Sequence, residues 1–183
     1  MNRIKIRRPN IDDKDNLLEF FKLVLEDTFI KEGIEDLVED LEEEIIDKKK
    51  YLEDDLMTNG DLVYFLMAEY QGTIVGTIQY GPSSDLINSC TNGEYKDLYE
   101  IASVFVKPEY QGQGLGNLLL KSIYQVMESK GIKEFCLDSG YSRAQKIWTK
   151  KFGKPDYFFP NYWSQGHHHL IWRVDLQNVS LDI

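Results

Sequence analysis

Apolar residues recur along this chain in two rhythms, alternating in some stretches and returning every three or four positions in others. The alternation of Ile4 and Ile6 predicts a first strand over Arg3–Arg8, ended by Pro9. Asp12 or Asp13 can then cap a helix over Lys14–Asp27, whose apolar side is Leu17, Leu18, Phe21, Val24 and Leu25. A second, acidic helix is expected over about Gly33–Leu56. Asp61–Tyr70 and Thr73–Tyr80 read as two strands joined by a hairpin turn at Gln71-Gly72. Gly81–Gly93 carries Gly, Pro, Ser and Asn around a short apolar Leu86-Ile87, and is expected to be an exposed loop. Asp97–Val106 is a strand and Gly116–Lys130 a helix with Leu118, Leu119, Ile123, Val126 and Met127 on one face, stopped by Gly131. Ile132–Asp138 is the next strand, Ser142 with Gln145 forms a capping box for a helix to about Lys151, and Leu170–Leu176 is the last strand. No repeat or linker interrupts this order, so residues 1–183 read as a single domain.

The densest chemistry lies in Glu100–Gly116, EIASVFVKPEYQGQGLG. An apolar run stops at Pro108 and gives way to Gly112, Gly114 and Gly116, just before the predicted helix. Glycines there let the backbone reach positive φ and approach a ligand. The first amides of a helix lack partners inside it, and the helix dipole adds positive potential, so a phosphate or pyrophosphate would be held. The segment is not a P-loop, because Asn117-Leu118 stands where Lys and Ser or Thr would be needed. Nor is it a dinucleotide fingerprint, because the glycines are evenly spaced. What fits is Gln-x-x-Gly-x-Gly at Gln111, Gly114 and Gly116.

That pattern, with its lead-in VFVKPEYQGQGLG, resembles the acetyl-coenzyme A signature of the GCN5-related N-acetyltransferases. The predicted order, β-α-α-β-β-β-α-β-α-β, is also similar to that family's over most of the chain. The resemblance implies a mixed α/β sheet whose fourth and fifth strands, here Asp97–Val106 and Ile132–Asp138, splay apart to admit the pantetheine arm. It implies that the backbone of Val104, Phe105 and Val106 pairs with the pantetheine amides. The amides of Gln111, Gly112, Gln113, Gly114, Leu115, Gly116 and Asn117 would hold the pyrophosphate, with Ser142 as a further coenzyme contact. Acetyl-CoA is then the co-substrate, and a homodimer is a common state.

Acetyl transfer needs a neutral amine, because an ammonium has no lone pair, and so a base must take a proton. Glu100 stands at the edge of an otherwise apolar strand, where alternation puts it on one face with Ala102, Val104 and Val106. It precedes Gln111 by the offset that separates general base from signature glutamine in the histone acetyltransferases of the family. Burial would raise its pKa toward neutrality. The proton donor to the departing thiolate departs from the family pattern. In the register Tyr141-x-x-Ala144-x-x-Ile147-Trp148, Tyr141 replaces an Asn and Trp148 takes the place of the usual Tyr. An indole N–H is no proton source at neutral pH. Water, Tyr141 or Tyr157 must then supply the proton, and Trp148 is free to serve in packing.

Composition narrows the partners. The net charge of −10 argues against nucleic acid and is compatible with a cationic small-molecule or peptide amine acceptor, although the acidic run Glu32–Asp55 also suits a solvated helix face. No apolar run is long enough to span a bilayer, and MNRIKIRRPN lacks the apolar core of a secretory signal, so a reduced, cytoplasmic protein is expected, with Cys136 a buried apolar residue. His167, His168 and His169 lack the spaced partners of a metal site, so no metal is expected. Alternation aims His167 and His169 to one side and His168 to the other, in a segment, Tyr157–His169, expected as a loop and strand start. An N-acetyltransferase is the reading favoured by Glu100. An acyl-CoA-binding sensor of the same fold is the alternative kept open by Trp148.

Overall fold

The computed structural model describes residues 4–179, so Arg3, expected to begin the first strand, lies outside the described residues. Seven strands form one mixed sheet in the hydrogen-bonded order β1-β2-β3-β4-β5-β7-β6. They are β1 (Lys5–Arg7), β2 (Tyr64–Tyr70), β3 (Thr73–Pro82), β4 (Tyr99–Val106), β5 (Glu134–Ser139), β6 (Tyr157–Ser164) and β7 (His167–Asp175). Five α-helices accompany them: α1 (Lys14–Glu32), α2 (Val38–Thr58), α3 (Asp85–Cys90), α4 (Leu115–Ser129) and α5 (Ser142–Phe152). By internal contacts the chain divides into two compact units. Of the described residues, one contains 4–80 together with Ser103–Val126; the other contains Gly81–Ala102 and 127–179.

In the first unit, Asp13 is the N-cap residue of α1, as one of the two expected, but its side chain makes no cap bond to the helix; the side-chain capping is done one turn earlier, at Asn10. The Asn10 side chain accepts the Asp12 N–H, and the Asp13 carboxylate accepts the Asn10 N–H, both at 2.8 Å, closing a capping box on the 3-10 turn Ile11–Asp13. Asp13 also takes a two-pronged bond from Arg7 at 2.7 and 2.8 Å, which holds its carboxyl below the usual range. The helix runs past the expected end at Asp27 because Phe29, four residues beyond Leu25, is again buried. It stops at Gly33, in left-handed backbone. The acidic helix α2 is unbroken, and its buried residues are Leu52 and Asp55. Leu17, Phe20, Phe21, Val24 and Leu52 pack with Val63, Phe65 and Met67 into one core. Asp55 is fully buried; it accepts the Phe65 N–H at 2.9 Å and meets Arg8 at 2.8 Å. Burial pushes its carboxyl up, and those two partners oppose the push.

β2 and β3 form the expected hairpin, with Gln71 at φ 51 and Gly72 at φ 78, the two left-handed residues of a tight two-residue turn. The irregularity that matters most lies within β4. Ser103 has φ 50 in the middle of the strand, so the alternation expected from Glu100 through Val106 is interrupted there. The Thr77 hydroxyl donates to the Ser103 carbonyl at 3.0 Å, and the Lys107 N–H donates to the Val75 carbonyl at 2.9 Å. Gly76 is required beside it. A Cβ at that position would lie 2.9 Å from Leu119 Cδ1 and 3.0 Å from the Phe105 carbonyl oxygen.

The second unit corrects three expectations. Gly81–Gly93 is not an open loop, because Ser84 caps α3 and Ile87 is fully buried beside Tyr95, Cys136 and Ile171. Tyr157–His169 is not loop but β6 and the start of β7, paired antiparallel with an irregularity between Phe159 and Ser164. The helix α5 has no Ser142–Gln145 box: its N-cap is Tyr141, and the Gln145 amide donates to the Ser139 and His168 carbonyls, each at 2.9 Å. β5 lies between β4, parallel to it at Tyr99↔Phe135 and Glu100↔Cys136, and β7, antiparallel to it from Glu134↔Asp175 to Ser139↔Leu170. The element order is thus β-α-α-β-β-α-β-α-β-α-β-β.

Left-handed backbone costs a residue with a Cβ about 1–2 kcal/mol, and the Ser103 hydroxyl is buried without a partner among the described residues. Ser103→Gly removes both costs and adds about 0.5–1 kcal/mol of unfolded-chain entropy. Its melting temperature should rise by roughly 2–4 °C, whereas Ser103→Val should lower it; a fall in Ser103→Gly would show that the serine side chain contributes to folding.

Candidate active site

The glycine segment is held by its own side chains in the first unit. After β4, Pro108–Tyr110 makes one 3-10 turn and Gln111 returns to extended backbone. The Gln111 amide donates to the Val106 carbonyl at 3.0 Å, tying the start of the loop to the end of the strand, and its oxygen accepts from the Lys31 ammonium at 3.3 Å. Lys31 is itself paired with Asp27 at 2.5 Å. Gln113 repeats the device, donating to the Glu109 carbonyl at 2.8 Å. Gly112 at φ 72 and Gly114 at φ 83 turn the chain into α4, which opens at Leu115. A Cβ on either glycine would meet no protein atom within 4 Å, so both look into open space. Leu115, Leu119, Leu120, Ile123, Tyr124 and Met127 are the buried face of α4, whereas Leu118 is exposed. Val104, Phe105 and Val106 are half-buried, and the Phe105 ring meets Phe21 edge-on at 6.2 Å. Open glycines in left-handed backbone followed by helix amides suit a pyrophosphate.

Glu100 lies in the second unit, 9% exposed, at the start of β4. Its Oε2 accepts the Ser84 N–H at 2.6 Å, so the residue that caps α3 also orients this carboxylate. On the neighbouring strand, burial pushes the Cys136 thiol up, and the charges of Glu100 and Asp138 push it further. Tyr141, half-buried at the N-cap of α5, donates its N–H to the Ser139 hydroxyl at 3.1 Å. Ser142 is the first residue of α5 and is exposed. Trp148 stacks on Phe152, with centroids 5.8 Å apart and planes 14° from parallel, and Phe152 meets Phe135 edge-on. That places Trp148 in packing. The Tyr157 hydroxyl donates to Glu94, which pushes the phenol up and makes it a poorer proton donor.

The histidine run divides as alternation implies. The His168 Nδ1 accepts the Asn161 N–H at 3.0 Å and its ring meets Phe158, while His169 is 1% exposed beside Asp138, Tyr162 and Trp163. Among the described residues no group of three or more His, Cys, Asp or Glu could hold a metal ion. None of their helices is long and apolar enough to cross a membrane. The sequence reading missed Ser84, Lys31 and the Asp138–His169 pair. For Ser84 the signal existed, a serine ahead of Asp85 and the apolar Leu86-Ile87; for the Lys31–Gln111 and Asp138–His169 contacts none did, because those partners are distant in sequence.

A mixed sheet with a glycine turn between its fourth strand and fourth helix suits a ligand that carries a pyrophosphate. The model of the acetyltransferase (GNAT) family matches residues 25–154, and the chain belongs to that family. It is a GNAT acetyltransferase. A comparison with curated protein sequences finds no match. Among solved structures, PaiA N-acetyltransferase from Thermoplasma acidophilum, in complex with coenzyme A, is 20% identical with a TM-score of 0.66, over 94% of this chain and 99% of that one. Ribosomal-protein-alanine N-acetyltransferase from Brucella melitensis is 19% identical with a TM-score of 0.66, over 93% and 99%. The yncA protein of Salmonella typhimurium, solved with its cofactor acetyl-CoA, is 16% identical with a TM-score of 0.66, over 98% and 97%. Such likenesses show the fold and leave the acceptor open.

The open space outside Gly114 yields a test that separates folding from binding. Gly114→Val places a Cβ in left-handed backbone without striking protein, so its stability cost should be about 1–2 kcal/mol, a loss of roughly 2–8 °C. Stabilisation by coenzyme A in a thermal-shift titration should disappear. A variant that coenzyme A stabilises as strongly as wild type would move the phosphate contacts away from this loop.

Proposed function

We propose that this protein transfers the acetyl group of acetyl-CoA directly to a primary amine in a ternary complex, with Glu100 as general base. The observation that carries the reading is the turn from Gln111 to Leu115, in which two glycines at positive φ present open backbone before the first amides of α4. In this reading the main chain of Val104, Phe105 and Val106 receives the pantetheine amides, the amides from Gln111 through Asn117 receive the pyrophosphate, and Ser142 adds a coenzyme contact. Bound acetyl-CoA supplies the activated thioester; the residues of this chain bind, orient and move the proton. The Gln111 side chain keeps the loop fixed to Val106, so the backbone donors are set before the ligand arrives.

Glu100 suits the base because it is largely buried and because the Ser84 N–H fixes one carboxylate oxygen. The amine must lose a proton to expose its lone pair, and a fixed carboxylate can receive it. Tyr141, at the N-cap of α5, is the candidate donor to the departing thiolate. A thiolate of pKa near 8.5 also leaves tolerably without help. Trp148, stacked on Phe152, supports the second reading: a coenzyme-binding sensor with little catalysis. The setting proposed is the cytoplasm, where the free thiols Cys90 and Cys136 persist.

The test is thiol release from acetyl-CoA across a panel of amines. Glu100→Gln keeps an oxygen for the Ser84 N–H but removes the base, so coenzyme A binding should survive while turnover falls about 10²–10⁴-fold. Wild-type rates in Glu100→Gln at every pH would remove Glu100 from the mechanism. Stabilisation by acetyl-CoA with no thiol release on any amine would favour the sensor.

A further inference from the structure

Lys31, in the last turn of α1, donates to the Gln111 Oε1 at 3.3 Å across 80 residues of chain. The same ammonium is held by Asp27, one turn back on the helix, at 2.5 Å. At its other end the Gln111 amide donates to the Val106 carbonyl at 3.0 Å. The four residues form one line of contacts, Asp27–Lys31–Gln111–Val106, all within the first unit. An amide side chain has one donating and one accepting end. Turned over, Gln111 would set its oxygen against the Val106 carbonyl and its NH2 group against the Lys31 ammonium, and both contacts would be repulsive. Lysine and strand together therefore select one orientation of the amide, where either alone would hold only one end. The line stops at Gly112 and Gly114, which look into open space that a ligand can reach. The lysine nearest in sequence to the loop, Lys107, is paired with Glu109 at 2.9 Å.

We infer that Lys31 is a positioning residue of the coenzyme site: through Gln111 it sets the backbone that receives the pyrophosphate, and it ties that backbone to the end of α1. This role rests on the reading of Gln111–Gly116 as the coenzyme loop. Gly112 follows Gln111 directly, and glycine has the widest backbone range of any residue, so an amide held at one end only would leave the turn free to wander. Amides already oriented lose less freedom when a phosphate arrives. The lysine side chain is 29% exposed and its bond to Gln111 is long, so the effect is a few-fold and not all-or-none. Lys31 also stands two residues before Gly33, whose left-handed backbone ends α1, where the Ile34 N–H donates to the Phe29 carbonyl at 3.0 Å. Coupling between two places is reciprocal. A coenzyme that steadies Gln111 therefore steadies this corner.

Calorimetric titration with coenzyme A tests this without turnover, each variant being checked for folding by circular dichroism. Lys31→Met should weaken binding roughly three- to tenfold, and Lys31→Arg, which keeps the charge and the donors, should recover most of the loss. The double variant separates a positioning role from a direct one. Because Lys31 acts through Gln111, Lys31→Met should weaken binding no further once Gln111→Ala has been made. Hydrogen exchange supplies a second readout: coenzyme A should slow the amides of residues 28–34 in wild type and not in Lys31→Met. Wild-type affinity in Lys31→Met, a loss that adds in full to that of Gln111→Ala, or equal slowing in both proteins overturns the positioning role and leaves the coenzyme reading standing. A wild type that does not bind coenzyme A removes both. Weakened binding in Lys31→Met with no thiol release by wild type on any amine sustains the role of Lys31 and counts against the catalytic reading.

Discussion

Ser103 holds left-handed backbone in the middle of the strand that leads to the glycine loop, and the first unit is arranged to keep it there. A residue with a Cβ resists that conformation, so something must outweigh the strain. Thr77 grips the Ser103 carbonyl from β3, Val75 takes the Lys107 N–H at the far end of the interruption, and Gly76 between them has no side chain to block the Phe105 carbonyl. The same absence lets Leu119 of α4 settle against β3. A bulge changes which way the following residues point and bends the strand. From there Val106 delivers its carbonyl to Gln111, and the loop, the glycines and the helix start follow in fixed order. The glycine turn is therefore placed by the left-handed residue that precedes it.

What the sequence disclosed and what it hid divide along a physical line. Local signals were legible: Gln71-Gly72 could only be a tight turn, Gly131 could only end a helix, and three alternate glycines before an apolar row announced a backbone site. Features that depend on partners distant in the chain were not. Nothing near Phe29 says that its side is covered, so α1 ended too early on paper. Nothing near Ser103 signals positive φ, because serine does not demand it. Asp13 stands at the N-cap of α1 without capping it by its side chain, because its carboxylate is drawn both to the Asn10 N–H and to Arg7. The β6 strand was hidden by its own composition, since Pro160 and Asn161 look like loop until β7 is there to pair with.

The histidine run shows how little a motif says without its surroundings. Three like residues in a row suggested one function or none. In the folded protein the His168 ring accepts the Asn161 N–H, whereas its neighbour His169 is buried, with Nε2 3.2 Å from Asp138 Oδ2 and two aromatic rings beside it. Strand alternation alone separates them. Likeness of fold to solved structures at 20% identity or less leaves the acceptor open.

The missed helix and the base candidate turn out to be one omission. Gly81–Gly93 looked like a loop because its residues are turn formers, and Glu100 looked like a lone carboxylate at a strand start. Ser84 joins them: its hydroxyl accepts the Ile87 N–H to start α3, and its own N–H holds Glu100 at 2.6 Å. An N-cap N–H is not used by the helix it begins, so it can serve a neighbour without cost to that helix. Fixing one oxygen leaves the carboxylate with a defined orientation before any amine arrives, which is what a base acting within a confined geometry requires. Burying Ile87 beneath α3 holds Ser84 in turn, so the orientation of the carboxylate rests on an apolar contact three residues away from the atom that makes it.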